Sequence, residues 1–137
     1  LYTSCKGKSG KKILIINEDP AIVTLMASYL KEFGYKVISK PPRMFDVKQV
    51  KKIAPDVILL DIDKIEEWGV AIFEILKKSN STKSIPIILM ASKLTEEELK
   101  EVAAQLGAED YVPQLFEFAD VDRKIKKVSS RKPFHSP

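Results

Sequence analysis

Short apolar runs recur along the chain and alternate with stretches whose apolar residues follow helical spacing. The third run, residues 57–60, is continuously apolar, which indicates a strand covered on both faces. Strands that alternate with helices through short connections favour parallel pairing and right-handed crossovers. The pattern predicts a three-layer α/β sandwich with a five-stranded parallel sheet, whose strands are Lys12–Ile16, Tyr35–Ser39, Val57–Leu60, Ile85–Met90 and Asp110–Val112.

Five helices are predicted from capping residues, helix breakers and apolar spacing. In the first helix, Asp19 is the N-cap and Pro20 takes the first position, where no hydrogen bond is lost. The third helix is predicted to turn Ile72, Ile75 and Leu76 toward the sheet. The predicted helices run from Pro20 to Phe33, from about Met44 to Ile53, from about Trp68 to Lys78, from Thr95 to Gly107 and from about Phe118 to Val128.

The composition is that of a soluble globular protein of one domain. The 137 residues are 45% hydrophobic and 31% charged, and no apolar run approaches the length of a membrane helix. The single cysteine excludes an internal disulfide and a cysteine metal cluster, and the polar, basic first residues are unlike a secretory signal. We expect a cytoplasmic location, a flexible basic segment over residues 1–10, a domain over 11–128 and a tail over 129–137.

The net charge of +4 arises from 23 basic and 19 acidic residues, with the basic excess at the two ends. Aromatic and base-reading side chains are largely lacking in these basic clusters. The charge pattern therefore favours solvated tails and a basic last helix over a nucleic-acid surface.

Acidic and amide side chains follow the first and third predicted strands. Parallel strands bring their carboxyl ends to one edge of the sheet, where open α/β proteins bind their ligands. Carboxylate and amide oxygens without His or Cys suit a hard cation such as Mg²⁺, and a carboxylate beside that cation suits phosphoryl transfer. Asp19 is expected only to cap its helix. Asp61 ends a buried strand, where a carboxylate that has neither a partner nor a function lowers the stability of the fold. The groups expected at this edge are Asn17, Glu18, Asp19, Asp61, Asp63, Ala91, Ser92, Pro113 and Gln114.

Residues 11 to 128 resemble the response-regulator receiver domain of two-component signalling, the chemotaxis-regulator type of domain. Four segments carry the resemblance: KKILIINEDPAIVTLMASYLKEFGY, PDVILLDI, SIPIILMAS and LGAEDYV. The resemblance implies a flavodoxin-like fold with strand order 2-1-3-4-5, and Mg²⁺ as a weakly held cofactor. It also implies that Asp61 receives a phosphoryl group from a histidine kinase. The implied metal ligands are Glu18, Asp61 and the backbone carbonyl of Asp63, with Asn17 acting through a water molecule.

Three positions of the implied phosphoryl site depart from the family pattern, and one of them is Glu18, where the family usually has the shorter aspartate. Asn17 stands where the family has the first acidic residue, and Asp63 could return that charge. The family's hydroxyl after strand four falls on Ala91 when counted from Pro86, and on Ser92 when counted back from the end of the fourth helix. Strand register is harder to shift than loop length, so Ala91 is favoured.

The largest departure follows the fifth strand. The family has a Lys-Pro pair there, and this chain has Gln114, which can donate a hydrogen bond to phosphate but cannot neutralise it. Tyr111 matches the aromatic residue whose rotation reports phosphorylation in the family. A switching role and a fixed packing role for Tyr111 both stay open.

The resulting hypothesis is a receiver-like signalling domain, not an enzyme, whose phosphorylation site is degenerate and impaired. Its expected partners are a histidine kinase or another signalling protein, and a second copy bound through the face of helix 4, strand 5 and helix 5. No membrane is expected, and nucleic acid is expected only through a separate output domain. One alternative is a fully phosphorylatable, Mg-dependent switch that uses Ser92. Another is a small α/β nucleotide-binding module or enzyme, although no glycine-rich turn follows the first strand.

Overall fold

The computed structural model describes residues 10–63, 68–113 and 115–130. Gln114, most of the predicted N-terminal segment and most of the predicted tail lie outside these residues. The described elements are β1 (Lys12–Ile16), α1 (Pro20–Glu32), β2 (Lys36–Lys40), α2 (Val47–Ile53), β3 (Val57–Asp61), α3 (Val70–Lys78), β4 (Ile87–Met90), α4 (Glu96–Leu106), β5 (Asp110–Val112) and α5 (Phe118–Ser129).

The five strands form one parallel sheet with the order β2-β1-β3-β4-β5. The apolar side chains of β3 alternate between its two faces: Leu59 belongs to the core under α1 and α5, and Leu60 to the core under α2, α3 and α4. Both are fully buried. Because each face of the sheet is covered by helices, the uninterrupted apolar run is explained and the predicted three-layer sandwich is confirmed.

The predicted second helix is wrong in its first part. Residues Pro42–Met44 form a 3-10 turn, Phe45 has an extended backbone, and α2 begins only at Val47. Asp46 explains the break, because its carboxylate accepts a hydrogen bond from the Lys48 N–H at 3.0 Å and so caps a new helix. Apolar spacing across this segment gave no sign that two short elements were present.

One predicted core residue of α3 is also wrong. Ile75 is 44% exposed, whereas Ile72 and Leu76 are buried and Phe73 is buried beside them. At about 100° per residue, Ile72, Phe73 and Leu76 share one side of the helix, and Ile75 lies off that side. The remaining bounds differ from the predictions by a few residues, mainly at β2, at β4 and at the start of α3.

The helix starts that place the sheet edge follow local capping signals. The Asp19 carboxylate accepts from the Ala21 N–H at 2.9 Å, and Pro20 opens α1 directly after the turn from β1. Thr95 and Glu98 form the reciprocal capping box that the sequence indicates at the start of α4. No helix in the described ranges combines the length and apolar character needed to cross a lipid bilayer.

Candidate functional site

A cleft of about 230 Å³ opens where β1, β3, β4 and β5 reach their carboxyl ends. Asp61 is the last residue of β3 and lies opposite Met90 in the register with β4. The polar side chains that line the cleft in the described ranges include Asn17, Glu18, Asp61, Asp63, Ser92 and Lys93. The structure therefore brings together, at one edge of the sheet, the acidic and amide groups that the sequence indicated.

The residues after β1 already have partners within the protein. Asn17 is 7% exposed, and its side-chain oxygen accepts from the Asp19 N–H at 2.8 Å. The Glu18 carboxylate lies 3.4 Å from Nε of Arg43, and both side chains are exposed. Such an exposed pair contributes little to stability, so Glu18 can exchange this partner for a ligand at small cost.

Burial decides the protonation of Asp61. The pKa of this carboxyl is raised from 3.8 to about 6. Burial is the largest cause, the charges of Asp63 and Asp19 act in the same direction, and the hydrogen bond from the Asp63 N–H opposes the shift. That N–H donates to Oδ1 of Asp61 at 3.1 Å. Above pH 6 the group is mainly ionised, and an ionised carboxylate is the form that can act as a nucleophile.

The Asp63 side chain is directed at the connection between β4 and α4. Its carboxylate accepts from the Ser92 N–H at 2.9 Å, from the Ser92 hydroxyl at 2.8 Å and from the Lys93 N–H at 2.8 Å. Burial by itself would raise the pKa of Asp63, but these hydrogen bonds outweigh it and lower the pKa. No local sequence signal indicates this contact, which joins residues 29 positions apart.

Ala91 directly follows β4, is 6% exposed and lines the cleft. Ser92, one residue later, is exposed, and its hydroxyl donates to Asp63. After β5, Pro113 lines the cleft, and Gln114 lies outside the described residues. The first side chain after β4 is therefore a methyl group, and the nearby hydroxyl has a carboxylate partner.

Tyr111 lies in β5 and packs against the core on the side of α2, α3 and α4. Its carbonyl accepts a hydrogen bond from the Lys124 ammonium, whose nitrogen lies 4.9 Å from the centre of the Tyr111 ring. Lys124 also approaches the Asp110 carboxylate at 3.8 Å. These contacts connect β5 to α5 beside the tyrosine.

Sequence reasoning missed most of the apolar wall of the cleft. Ile22 of α1, Trp68 before α3 and Phe116 before α5 come together here. Lys93 was also missed, and among the described residues it is the one basic side chain that lines the cleft. Each of these residues has an ordinary local context, and only the crossovers of the fold bring them to the same edge.

Comparison with known proteins decides the family. The family model of the response regulator receiver domain matches residues 13–126. The chain belongs to the receiver domain family of response regulators. This family is a signalling module of two-component systems rather than a typical enzyme family.

Several regulators are similar to this receiver domain. The alkaline phosphatase synthesis transcriptional regulatory protein PhoP of Bacillus subtilis is 31% identical over 93% of this chain and 52% of its own length. The phosphate regulon transcriptional regulatory protein PhoB of Escherichia coli is 26% identical over 88% of this chain and 52% of its own length. The chain thus spans about half the length of these curated relatives.

Solved receiver domains have the same fold. The N-terminal domain of the nisin resistance regulator NsrR is 30% identical, covers 87% of this chain and 97% of its own, and superposes with a TM-score of 0.71. The BeF3-activated receiver domain of Klebsiella pneumoniae RstA is 23% identical, covers 88% of this chain and 99% of its own, and gives a TM-score of 0.73. The strand order 2-1-3-4-5 agrees with the flavodoxin-like fold that the resemblance implied.

Receiver domains typically bind Mg²⁺ at the phosphorylation site. Within the described ranges, no three acidic, histidine or cysteine side chains are close enough together to hold a metal ion. Mg²⁺ usually needs only one or two carboxylates and keeps several waters. Asp61 and Glu18 both line the cleft, and they are carboxylates of the kind that such a largely hydrated ion uses.

The raised pKa of Asp61 gives a stability prediction. Between pH 3.8 and about 6 the folded receiver keeps a proton that the unfolded chain has lost, so stability falls as pH rises through this window and stays lower above it. Asp61→Asn removes this penalty and should stabilise the fold by about 1 kcal/mol at pH 8, a value reduced because the group is partly exposed.

Urea unfolding in EDTA at pH 8 and pH 5 measures this effect. The gain from Asp61→Asn should shrink at pH 5, where the wild-type carboxyl is largely protonated. An equal gain at both values would show that the burial of charge at Asp61 is not its cause.

Proposed function

We propose that this receiver domain takes a phosphoryl group from a histidine kinase onto Asp61, and that its site works more slowly than a complete receiver site. The observation that supports this is the position of Asp61 at the end of the buried strand β3, within a cleft that also contains Asn17 and Glu18. An Asp61 oxygen would bond to phosphorus as the bond from phosphorus to the kinase histidine breaks. The histidine nitrogen keeps that electron pair and later takes a proton.

The metal ligands of this proposal are few. The carboxylates of Glu18 and Asp61 and the carbonyl of Asp63 would hold Mg²⁺, and Asn17 would contact it through a water molecule. When bound, the ion offsets the negative charge of the phosphoryl group. The Asn17 oxygen accepts one hydrogen bond from Asp19 and has a second lone pair for that water.

Three of the four switch positions support an impaired site. Ala91 provides no hydroxyl for a phosphoryl group, and the Ser92 hydroxyl would have to leave Asp63 before it could contact one. Gln114 cannot neutralise phosphate charge. Tyr111, held beside Lys124, is assigned a packing role rather than a switching role. These features count against the fully phosphorylatable alternative, and the comparisons give nothing that favours a nucleotide-binding module.

Intact mass after incubation with acetyl phosphate and Mg²⁺ tests the acceptor. We expect slow, partial addition of one phosphoryl group to the wild-type chain and none to Asp61→Asn. No addition to the wild type, under conditions that fully modify a receiver with the usual lysine and hydroxyl, would contradict phosphorylation of Asp61. Rapid and complete addition would instead support the fully functional switch.

We further assign partner binding, including binding of a second copy, to the face of α4, β5 and α5. Charge supports this assignment, because the start of α4 is acidic and the second half of α5 is rich in exposed basic residues. The acidic residues are at the start of α4 and the basic ones are on α5: Glu96, Glu97 and Glu98 against Arg123, Lys126 and Lys127. A two-fold contact would set the acidic helix of one copy against the basic helix of the other.

Charge reversal tests this face. Lys127→Glu should weaken self-association or partner capture by about tenfold, and adding Glu97→Lys should restore part of it. Sedimentation and pull-down measure the two effects, with Lys51→Glu on the remote helix α2 as the control. Equal behaviour of Lys127→Glu and the control would remove the support for this surface.

The length of the relatives supports an output role outside this chain. Because the chain spans about half of PhoP and PhoB, which are named transcriptional regulators, we place any contact with nucleic acid in a separate output domain. The receiver would then act on that domain through protein contacts.

A further inference from the structure

The Asp63 carboxylate joins the two connections that border the phosphoacceptor. Asp63 belongs to the connection after β3. Its donors Ser92, through the N–H and the hydroxyl, and Lys93, through the N–H, belong to the connection after β4. The donor–acceptor distances of 2.8 to 2.9 Å are those of charge-assisted hydrogen bonds. Residues Asp61, Asp63, Ser92 and Lys93 all line the same cleft.

An anion formed on Asp61 would need the same kind of donors. A phosphoryl group is stabilised by backbone N–H groups and hydroxyls that point into its cleft. The N–H groups of Ser92 and Lys93, the second and third residues after β4, are already bonded to Asp63. One N–H serves one strong acceptor at a time. The negative charge of Asp63 would also repel a phosphoryl group, because the two groups would lie in one cleft of limited volume.

We propose that Asp63 is a positioning residue that ties the β4–α4 connection to the β3–α3 connection before phosphorylation, and that its carboxylate competes with a phosphoryl group on Asp61 for the donors of Ser92 and Lys93. This inference rests on the proposed function of Asp61. In the family pattern, a hydroxyl after β4 responds to the phosphoryl group. Here Ala91 has no hydroxyl, and an internal carboxylate holds the following two residues instead.

The contact between Asp63 and the β4–α4 connection also affects the face of α4, β5 and α5. The connection that Asp63 holds leads directly into α4, whose N-cap is Thr95. A connection that is already bonded in the unphosphorylated chain keeps the start of α4 in one position. The face of α4, β5 and α5 would therefore be available to partners without a phosphorylation step, and a phosphoryl group would have to displace Asp63 to change it.

Amide hydrogen exchange in the unphosphorylated chain tests the tie. The Ser92 and Lys93 amides should exchange slowly in the wild type and at least about tenfold faster in Asp63→Ala, which removes their acceptor. Asp63→Asn keeps an oxygen acceptor and should retain much of the protection. Asp120→Ala, an exposed Asp→Ala change on α5, should leave both amides unchanged, and circular dichroism verifies that each variant is folded.

The extent of Asp61 phosphorylation tests the competition. With acetyl phosphate and Mg²⁺, Asp63→Ala should accumulate several-fold more phosphorylated protein than the wild type, because it frees two backbone donors and removes a negative charge. Asp63→Asn should show a smaller increase, since it removes only the charge. Asp120→Ala should match the wild type.

The two measurements separate the failure of this inference from the failure of the proposed function. Unchanged Ser92 and Lys93 exchange in Asp63→Ala would overturn the tie. Faster exchange without more phosphorylation, in a chain whose wild type is phosphorylated, would overturn the competition. Faster exchange with no phosphorylation in any variant would support the tie and reject phosphorylation of Asp61.

Discussion

Gly69→Val should lower the free energy of unfolding by about 3 kcal/mol, the upper part of the usual range for overpacking, and should also reduce phosphorylation of Asp61. Gly69 is buried and has ordinary helical backbone angles, which any residue can adopt. Glycine is therefore needed here because a larger side chain does not fit, and not because of the backbone conformation. A Cβ at this position would lie 3.0 Å from Cα of Ile62 and 3.0 Å from its Cγ2.

The clash involves the residue between Asp61 and Asp63. Ile62 is fully buried, and its N–H donates to the Met90 carbonyl at 2.9 Å, which fixes the end of β3 against the end of β4. Because one of the two nearest atoms to the new Cβ is a backbone atom, a rotation of the Ile62 side chain cannot relieve the clash, and the backbone that carries both carboxylates has to move. The substitution should therefore affect the site as well as the fold.

Urea unfolding and intact mass measure the two effects. Gly69→Ala should be intermediate, since it adds the clashing Cβ but no further atoms. Gly107→Ala is the matched control: its site has open space and a φ of +81°, so it should cost about 1 kcal/mol through backbone strain and leave phosphorylation unchanged. Equal stability of Gly69→Val and the wild type would show that this packing is not tight.

Tyr35→Phe is expected to lower the free energy of unfolding by about 2 kcal/mol, within the range for hydrogen bonds to charged groups. The Tyr35 hydroxyl donates to Oδ1 of Asp122 at 2.5 Å, and both residues are buried. Asp122 has a second partner in Lys126, whose ammonium lies 3.1 Å from Oδ2. Without the hydroxyl, Oδ1 of Asp122 stays buried and loses this hydrogen-bond donor.

The same pair determines how this stability depends on pH. Burial, and then the hydrogen bond and charge of Asp122, raise the pKa of Tyr35 well above its ordinary value of 10.0. Because the pKa is raised in the folded state, the Tyr35 hydrogen bond contributes fully to stability below about pH 10, the pKa of tyrosine in the unfolded chain. This contribution is lost only as the pH rises above that value. The difference between the wild type and Tyr35→Phe should therefore stay constant from pH 7 to pH 9.

Urea unfolding of Tyr35→Phe beside Tyr29→Phe isolates the buried bond. Tyr29 is 43% exposed and stacks on Phe118 with ring centres 3.8 Å apart, so losing its hydroxyl should change stability by less than about 0.5 kcal/mol. If both variants lose the same stability, the Tyr35–Asp122 bond is not the cause.

Local and periodic signals were sufficient for most of the fold. The continuous apolar run of β3, the capping box of Thr95 and Glu98, and the cap at Asp19 act over a few residues, so their physical basis is complete within the sequence segment itself. The topology rules for parallel strands then placed Asp61 at the sheet edge. The same local signals were wrong where two adjacent elements share one apolar pattern. They predicted one helix from about Met44, whereas a 3-10 turn ends there and α2 begins at Val47.

The contacts that distinguish this receiver were decided by tertiary structure. Asp63 meets Ser92 across 29 positions and Tyr35 meets Asp122 across 87, and neither pair has a local pattern that would reveal it. The sequence by itself determined that the acidic and amide groups after β1 and β3 reach the cleft, because strand ends and caps are short-range properties. Only the packed sheet decided which of those groups bond to each other, since that depends on register, crossover and the competition of donors for the nearest acceptor.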